Sequence, residues 1–387
     1  MILSIIIPTH ERPQYIVPTI KSILSLSNNI EVVVTDTSQH DNISSHFSEI
    51  LTGTSPRLKI VRPQKKLNVV ENFELGLNSS RGSYLVFIGD DDFVHESIID
   101  IAHWAKSNKV DSVKSTLPAH YNWPDYIHRR NGNYYAGKIF IKKYTSTVKK
   151  IDAKLALVNA AKYLGDGVLT MPRAYAGMIS KKLANNIVKK YGSLFGGVSP
   201  DIYSSSLISI ESENCFEIDY PFIIPGTSGR STAGLSGNGK HIGKLRDNPH
   251  IGAFRDLIWN DLIPEFYSVP TVWSYSFVEA INNVSNLANI INYPRLYVKC
   301  LIYHSQYKEA ILKSIYCHAK KFGYIKTIFG LARGMTTESI WFLRKAFKML
   351  AGKLFTSGGF IIAGASDTNI ACKLISEKLS KTPLILK

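Results

Sequence analysis

At 387 residues the chain exceeds what a single hydrophobic core commonly organises, so two parts are expected. With 45% hydrophobic and 20% charged residues it is neither disordered nor fibrous, and no run of about 20 apolar residues is present to span a membrane. A net charge of +16, from 46 basic and 30 acidic residues, calls for an anionic partner: nucleic acid, a membrane face or a phosphate-bearing substrate.

The opening Met1-Ile2-Leu3-Ser4-Ile5-Ile6-Ile7-Pro8 lacks the basic leader and small-residue cleavage site of a signal peptide, and reads as a buried strand stopped by Pro8. Helical spacing follows at Tyr15, Ile16, Ile20, Ile23 and Leu24. A second strand, from Ile30, ends at Asp36-Thr37-Ser38, and a third, from Lys59, ends at Pro63. After helical spacing from Val69 to Leu77, a fourth strand from Tyr84 ends at Gly89-Asp90-Asp91-Asp92. Apolar strands alternating with amphipathic helices predict an α/β fold: a doubly wound, mostly parallel sheet with helices on both faces and ligands beyond the carboxyl ends of its strands.

From 109 to 150 the pattern is irregular and aromatic. Helices are predicted from Ala153, from Lys181 and from Tyr203, and the Gly- and Ser-rich stretch 225 to 243 suits a loop over a ligand. Beyond about Arg255 the chain reads as helical almost throughout. Between Arg295 and Phe355, twelve basic residues face only Glu309 and Glu338, so +10 of the +16 lies there. The division expected is 1–250, with a nucleotide-sugar half at 1–105 and an acceptor half at 106–250, followed by a basic, mainly helical region at 251–387. Four scattered cysteines without metal or disulfide spacing predict reduced thiols in a cytoplasmic protein.

Three adjacent carboxylates at the end of a buried strand are costly unless a cation neutralises them. The hard oxygens of Asp90, Asp91 and Asp92 suit Mg2+ or Mn2+ shared with substrate phosphates, the alternative being a solvated acidic turn. Asp36 can accept from a nucleobase N–H or a ribose hydroxyl, or close an ordinary Asx turn.

Read together, Ser4-Ile5-Ile6-Ile7-Pro8-Thr9-His10-Glu11-Arg12-Pro13, Glu31-Val32-Val33-Val34-Thr35-Asp36-Thr37-Ser38, and Glu71-Asn72-Phe73 followed by Gly82 to Asp92 resemble three blocks of glycosyltransferase family 2 in order and spacing. The resemblance covers about residues 1–105 well and 165–235 loosely. It implies a GT-A-like fold, a nucleotide-sugar donor, a UDP-sugar first among them, and a divalent cation. By position, Pro8, Thr9 and Asp36 would frame the nucleoside, Asn72 would belong to the same site, and Arg12 with Lys65 or Lys66 would lie near it or the phosphates. Thr37 stands where the family has a second acid, Glu11 where it has Asn, and Gly89 where many members begin the metal motif. Family registration therefore favours Asp91 as metal ligand, while a literal DXD reading favours Asp90 and Asp92.

Inverting transfer needs a base opposite the donor, and the resemblance places it at Asp201, behind Pro200 at a helix start. An N-terminal dipole partner is the alternative role, and Glu211, Glu213 and Asp166 are reserves. Arg230, in Gly226 to Gly234, would reach the phosphates, the alternative being a plain surface loop, and His241 reads as an exposed or packed histidine before it reads as a member of the metal shell. Ile340, Trp341, Leu343 and Phe347, interleaved with Arg344, Lys345 and Lys348, form an amphipathic basic helix suited to an anionic membrane surface. The expected acceptor is a glycan or lipid-linked glycan of capsule or O-antigen type, at the inner face of a membrane. The rival readings are a nucleic-acid-binding protein, disfavoured because charge and aromatic residues are segregated, and a sugar nucleotidylyltransferase, disfavoured because the loop after the first strand lacks glycines.

Overall fold

The computed structural model describes all residues except 41–42, 48–56, 232–233, 235–241, 255, 283, 285–286, 355–358 and 387. The N-terminal half alternates strand and helix: β1 (Leu3–Thr9), α1 (Pro13–Leu24), β2 (Ile30–Asp36), β3 (Leu58–Val61), α2 (Val69–Ser79), β4 (Tyr84–Phe87), the short β5 (Phe93–Val94) and α3 (Ser97–Ser107). Each predicted strand and helix of this stretch is present. The irregular segment contains β6 (Ser112–Ser115), β7 (Ala119–Asn122), β8 (Lys138–Ile141) and β9 (Val148–Ile151). There follow α4 (Ala153–Lys162), β10 (Gly177–Ser180), α5 (Lys181–Tyr191), α6 (Pro200–Glu211), β11 (Cys215–Ile218), β12 (Ile223–Ile224) and β13 (Gly226–Thr227).

The main sheet has the order β3-β2-β1-β4-β10-β6-β11-β9. Its β3, β2, β1 and β4 run parallel, β10 is antiparallel to both neighbours, and β6 and β11 are parallel to each other. Alternation along the strands feeds two cores, because successive side chains point to opposite faces. Leu3, Ile5 and Ile7 of β1, with Val32 and Val34, pack towards α1. Ile6, Val33, Leu85 and Phe87 pack towards Phe73 of α2, Leu183 of α5 and Leu207 of α6. Burial on both faces is why these strands read as continuous apolar runs.

The C-terminal region continues with α7 (Val269–Asn282), α8 (Tyr293–Tyr303), α9 (Lys308–Phe322), α10 (Tyr324–Leu354), β14 (Phe360–Ala363) and α11 (Thr368–Leu379). It is therefore not helical throughout: Phe360-Ile361-Ile362, β-prone and followed by Gly364, forms an edge strand on β8 in a second sheet, β13-β7-β8-β14. Nor does the packing divide at residue 250. Ala371, Cys372, Ile375 and Leu379 of α11 enter the same core as α1, while Leu157 of α4 and Ile202 of α6 join α7 and α8 in a third core. Among the described residues no helix is long and apolar enough to cross a membrane.

Candidate active site

Strand order brings the polar strand ends together. Because β1 lies between β2 and β4, Thr9 sits opposite Asp36 in register, and the loop after β4 reaches the same edge. The loops are stitched to one another. The Thr37 amide donates to the Thr9 carbonyl at 3.2 Å, and the Thr9 hydroxyl donates to Asp90 Oδ2 at 2.7 Å. Glu11 occupies the left-handed region, with φ 51°, which turns the chain so that its carboxylate accepts the amides of Gln39 and His40. The residue that departs from the family pattern thus closes the loop after β2.

The three aspartates are all buried yet differently engaged. Arg12 lies against two of them, Nη1 at 2.6 Å from Asp90 Oδ1 and Nη2 at 3.0 Å from Asp91 Oδ2, with its guanidinium 4.7 Å above the Tyr15 ring. The cation that neutralises the cluster in this structure is therefore a side chain. Asp91 Oδ2 also accepts from the Ser228 hydroxyl at 2.6 Å, while Asp91 Oδ1 has no hydrogen-bond partner among the described residues. Asp92 accepts from the backbone amides of Gly89 and Gly226, both at 2.7 Å, and from the Tyr175 hydroxyl at 3.3 Å.

Burial pushes Asp90 and Asp92 above the ordinary carboxylate range, in Asp90 against the pull of Arg12. Burial alone would lower Arg12, but the charges of Asp90 and Asp91 more than offset it and hold its proton tightly.

Gly226 is fixed at this point by sterics. The pairing of Ile224 with Phe93 carries the chain so close to the aspartate loop that a Cβ at Gly226 would stand 1.8 Å from the Asp91 carbonyl oxygen. Trp123 closes the same corner, its Nε1 donating to that carbonyl at 2.8 Å.

Asp36 is 1% exposed. Its Oδ1 accepts from the Ser38 amide at 2.9 Å, and its Oδ2, 3.7 Å from Arg62 Nε, has no hydrogen-bond partner. Asn72 is held beside it through Nδ2 on the Thr35 carbonyl, leaving its own Oδ1 buried and unpaired. Asp201 lies in the first turn of α6 and accepts from the Ser199 hydroxyl at 2.6 Å. Burial raises the Tyr175 phenol, and the charges of Asp92, Asp91, Asp201 and Asp90 raise it further, so Asp201 and the aspartate loop act on one side chain.

The remaining expectations fare differently. Pro8 is half-buried within β1 beside Thr9. Lys66 and Arg230 are exposed and make no hydrogen bond or ion pair to the aspartates. Glu211 pairs with Lys190 at the far end of α6, and Asp166 pairs with Arg295, so both reserve bases serve packing instead. His241 lies outside the described residues. Tyr175 and the part-buried Arg173, whose Nε lacks a partner, were not singled out from the sequence. Ser228 had a signal only in its place in the Gly-rich loop, and Trp123 only as one of the aromatic residues of 109–150.

Residues 4–161 match the sequence profile of Glycosyl transferase family 2. No curated protein matches the chain by sequence. Among solved structures, the chain is similar to residues 1–349 of S. aureus TarS in complex with UDP-GlcNAc, at 12% identity over 88% of this chain and 92% of that one, with a TM-score of 0.46. It is also similar to the mannosyltransferase PcManGT from Pyrobaculum calidifontis in complex with GDP-Man and Mn2+, at 12% identity over 92% and 87%, with a TM-score of 0.41. Neither likeness carries a residue assignment. The match over residues 4–161, fewer than half of the 387, supports a glycosyltransferase.

Proposed function

We propose that the chain moves a sugar, with inversion, from a nucleotide-sugar donor of the UDP class to a hydroxyl of a glycan or lipid-linked glycan. The observation that carries this reading is the convergence, at one sheet edge, of an unpaired buried Asp36 oxygen, the Arg12 guanidinium and the Asp90–Asp91 carboxylates. Asp36 Oδ2 accepts the N–H of a pyrimidine imide, a recognition in which a site built for that donor rejects a base lacking it. Arg12, already charged and ringed by acids, turns its planar fork to the diphosphate.

The residues fit a divalent cation shared with substrate. Asp90 Oδ1, which accepts no hydrogen bond and faces the Arg12 guanidinium, and Asp91 would supply the carboxylate oxygens, and Mg2+ or Mn2+ is commonly held by one or two carboxylates plus phosphates. No group of three or more ligating side chains occurs among the described residues. Asp92, its oxygens turned to amides, serves as a strut and not as a ligand. When bound, the cation supplies charge neutralisation to the leaving diphosphate. Asp201 takes the proton of the acceptor hydroxyl as it attacks the anomeric carbon.

Exposed Ile325, Ile328, Phe329, Phe342 and Leu343 on α10, beside Lys326 and Arg333, support peripheral attachment to an anionic inner membrane face, where capsule or O-antigen acceptors would be carried. A thermal-shift series with UDP, GDP, CMP and TDP, each with Mn2+, Mg2+ or EDTA, tests the donor reading, because a ligand of the native state raises apparent stability. Stabilisation by UDP only with metal is expected. A folded sample that responds to none of them overturns the reading.

A further inference from the structure

Between the start of α2 and α7 lies a concavity of about 610 Å3. One wall is Asn68, the N-cap of α2, at the carboxyl edge of the sheet; the other is the loop Asp256 to Asn260 together with Tyr275 and Glu279 of α7. Trp259 and Tyr275 stack with centroids 4.5 Å apart and planes 8° from parallel. Each ties its polar end to backbone, Trp259 Nε1 to the Ile263 carbonyl at 2.9 Å and the Tyr275 hydroxyl to the Ile258 carbonyl at 3.0 Å, so the aromatic wall is fixed.

The polar groups are left with matched valences. Asn68 and Asn260 each spend Oδ1 on a backbone amide, of Glu71 and Leu262, and keep their Nδ2 donors. Half-buried Glu279 has no hydrogen-bond or ion-pair partner among the described residues, and burial raises its pKa. A carboxyl so placed loses solvation unless a ligand donates to it.

The pocket is built onto the segment that carries Asp201. Ser276, between Tyr275 and Glu279 on α7, accepts the amides of Val198 at 3.1 Å and Ser199 at 2.8 Å. From the other side, His250 Nε2 donates to the Val198 carbonyl at 2.7 Å and packs edge-on to Phe254 of the pocket, centroids 5.7 Å apart. The residues leading into Asp201 are thus held by Ser276 and His250, each of which adjoins a residue that lines the pocket.

We propose that this pocket is an acceptor subsite, which binds a pyranose ring of the receiving glycan through Glu279, Asp256, Asn68 and Asn260, over a floor held rigid by the buried Trp259–Tyr275 stack. The proposal rests on the glycosyltransferase reading above. Carboxylates and carboxamides gathered around one concavity suit the hydroxyls on the edge of a sugar ring.

Saturation-transfer NMR on the full chain, with the methyl glycosides of glucose, galactose and N-acetylglucosamine as probes, tests it. At least one probe is expected to bind, and Glu279→Ala to weaken it about tenfold or more, the effect of losing a hydrogen bond to a charged group. Asp256→Ala, at an exposed position that core packing does not constrain, is expected to weaken it by less, and keeps the test open if Glu279→Ala does not fold. The UDP-induced thermal shift should be the same in both variants as in the parent. Absence of probe binding while that shift is intact, or binding that neither variant alters, overturns the acceptor subsite. Binding sensitive to Glu279 in a protein that shows no nucleotide shift would instead sink the donor reading and leave the pocket standing.

Discussion

After β4, adjacent carboxylates of one chemical kind carry different duties because their surroundings differ. Asp91 points one oxygen to Ser228 and Arg12 and keeps the other unpaired, whereas Asp92 is bonded to two backbone amides and a phenol. Opposite phenotypes follow. Asp91→Asn should abolish the metal-dependent nucleotide shift while costing the unliganded fold less than Asp92→Asn, since an acceptor for Ser228 is kept and Asp90 still faces Arg12. Asp92→Asn places an N–H2 against one of two amide donors, and should cost about 2 kcal/mol of stability, read as a lowered denaturant midpoint. A reversed pattern would make Asp92 the ligand. Three acids in a row were legible in the sequence as a site; their division of labour was not, because it is set by Gly226, Ser228 and Tyr175, which lie at least 83 residues away along the chain.

At the scale of elements, α10 shows how a polar helix is fastened. Gly330 meets Pro294 of α8 so closely that a Cβ there would stand 2.7 Å from the proline ring. In sequence that glycine reads only as a weak point in a helix, for its partner is not local. Close approach buries Arg295, 1% exposed, between Asp166 at 2.7 Å and Glu338 at 2.5 Å. Removing one partner of a buried pair leaves an uncompensated charge, so Glu338→Ala should lower stability by about 3 kcal/mol in chemical denaturation. Arg295→Met with Glu338→Leu should restore most of it, and failure to do so would show that the pair, not the packing, holds α10. Strands β1, β2 and β4 were legible because both of their faces are buried, which writes the strand into local composition. Strand β14 was not, since an edge strand takes its register from β8, 219 residues earlier by the Phe360–Ile141 pairing.

Across the whole molecule the charge is lopsided, and burial sharpens the asymmetry. Of the two acids in 295–355, Glu338 is consumed by Arg295, so the outer surface of α9 and α10 retains Lys320, Lys321, Lys326 and Arg333 almost unopposed. Among them, Ile325, Ile328, Phe329, Met335, Phe342 and Leu343 recur at helical spacing with at least 56% exposure, a stripe left open among the described residues. Apolar side chains flanked by cations meet the requirements of a leaflet interface, where each basic residue contributes about 1 kcal/mol and apolar burial adds to it. The protein should therefore cosediment with phosphatidylcholine vesicles containing phosphatidylglycerol, and far less with phosphatidylcholine alone. Salt should release it, because the Debye length shrinks from about 10 Å at 0.1 M to about 3 Å at 1 M. Replacing Lys320, Lys321 and Lys326 by Gln should weaken binding about a hundredfold, and Ile325→Ser with Phe329→Ser should weaken it even at low salt, where charge attraction is strongest. If neither vesicle binds and the same serine substitutions instead dissolve a dimer in sedimentation equilibrium, the stripe is a contact between two copies of the chain and the membrane assignment is wrong.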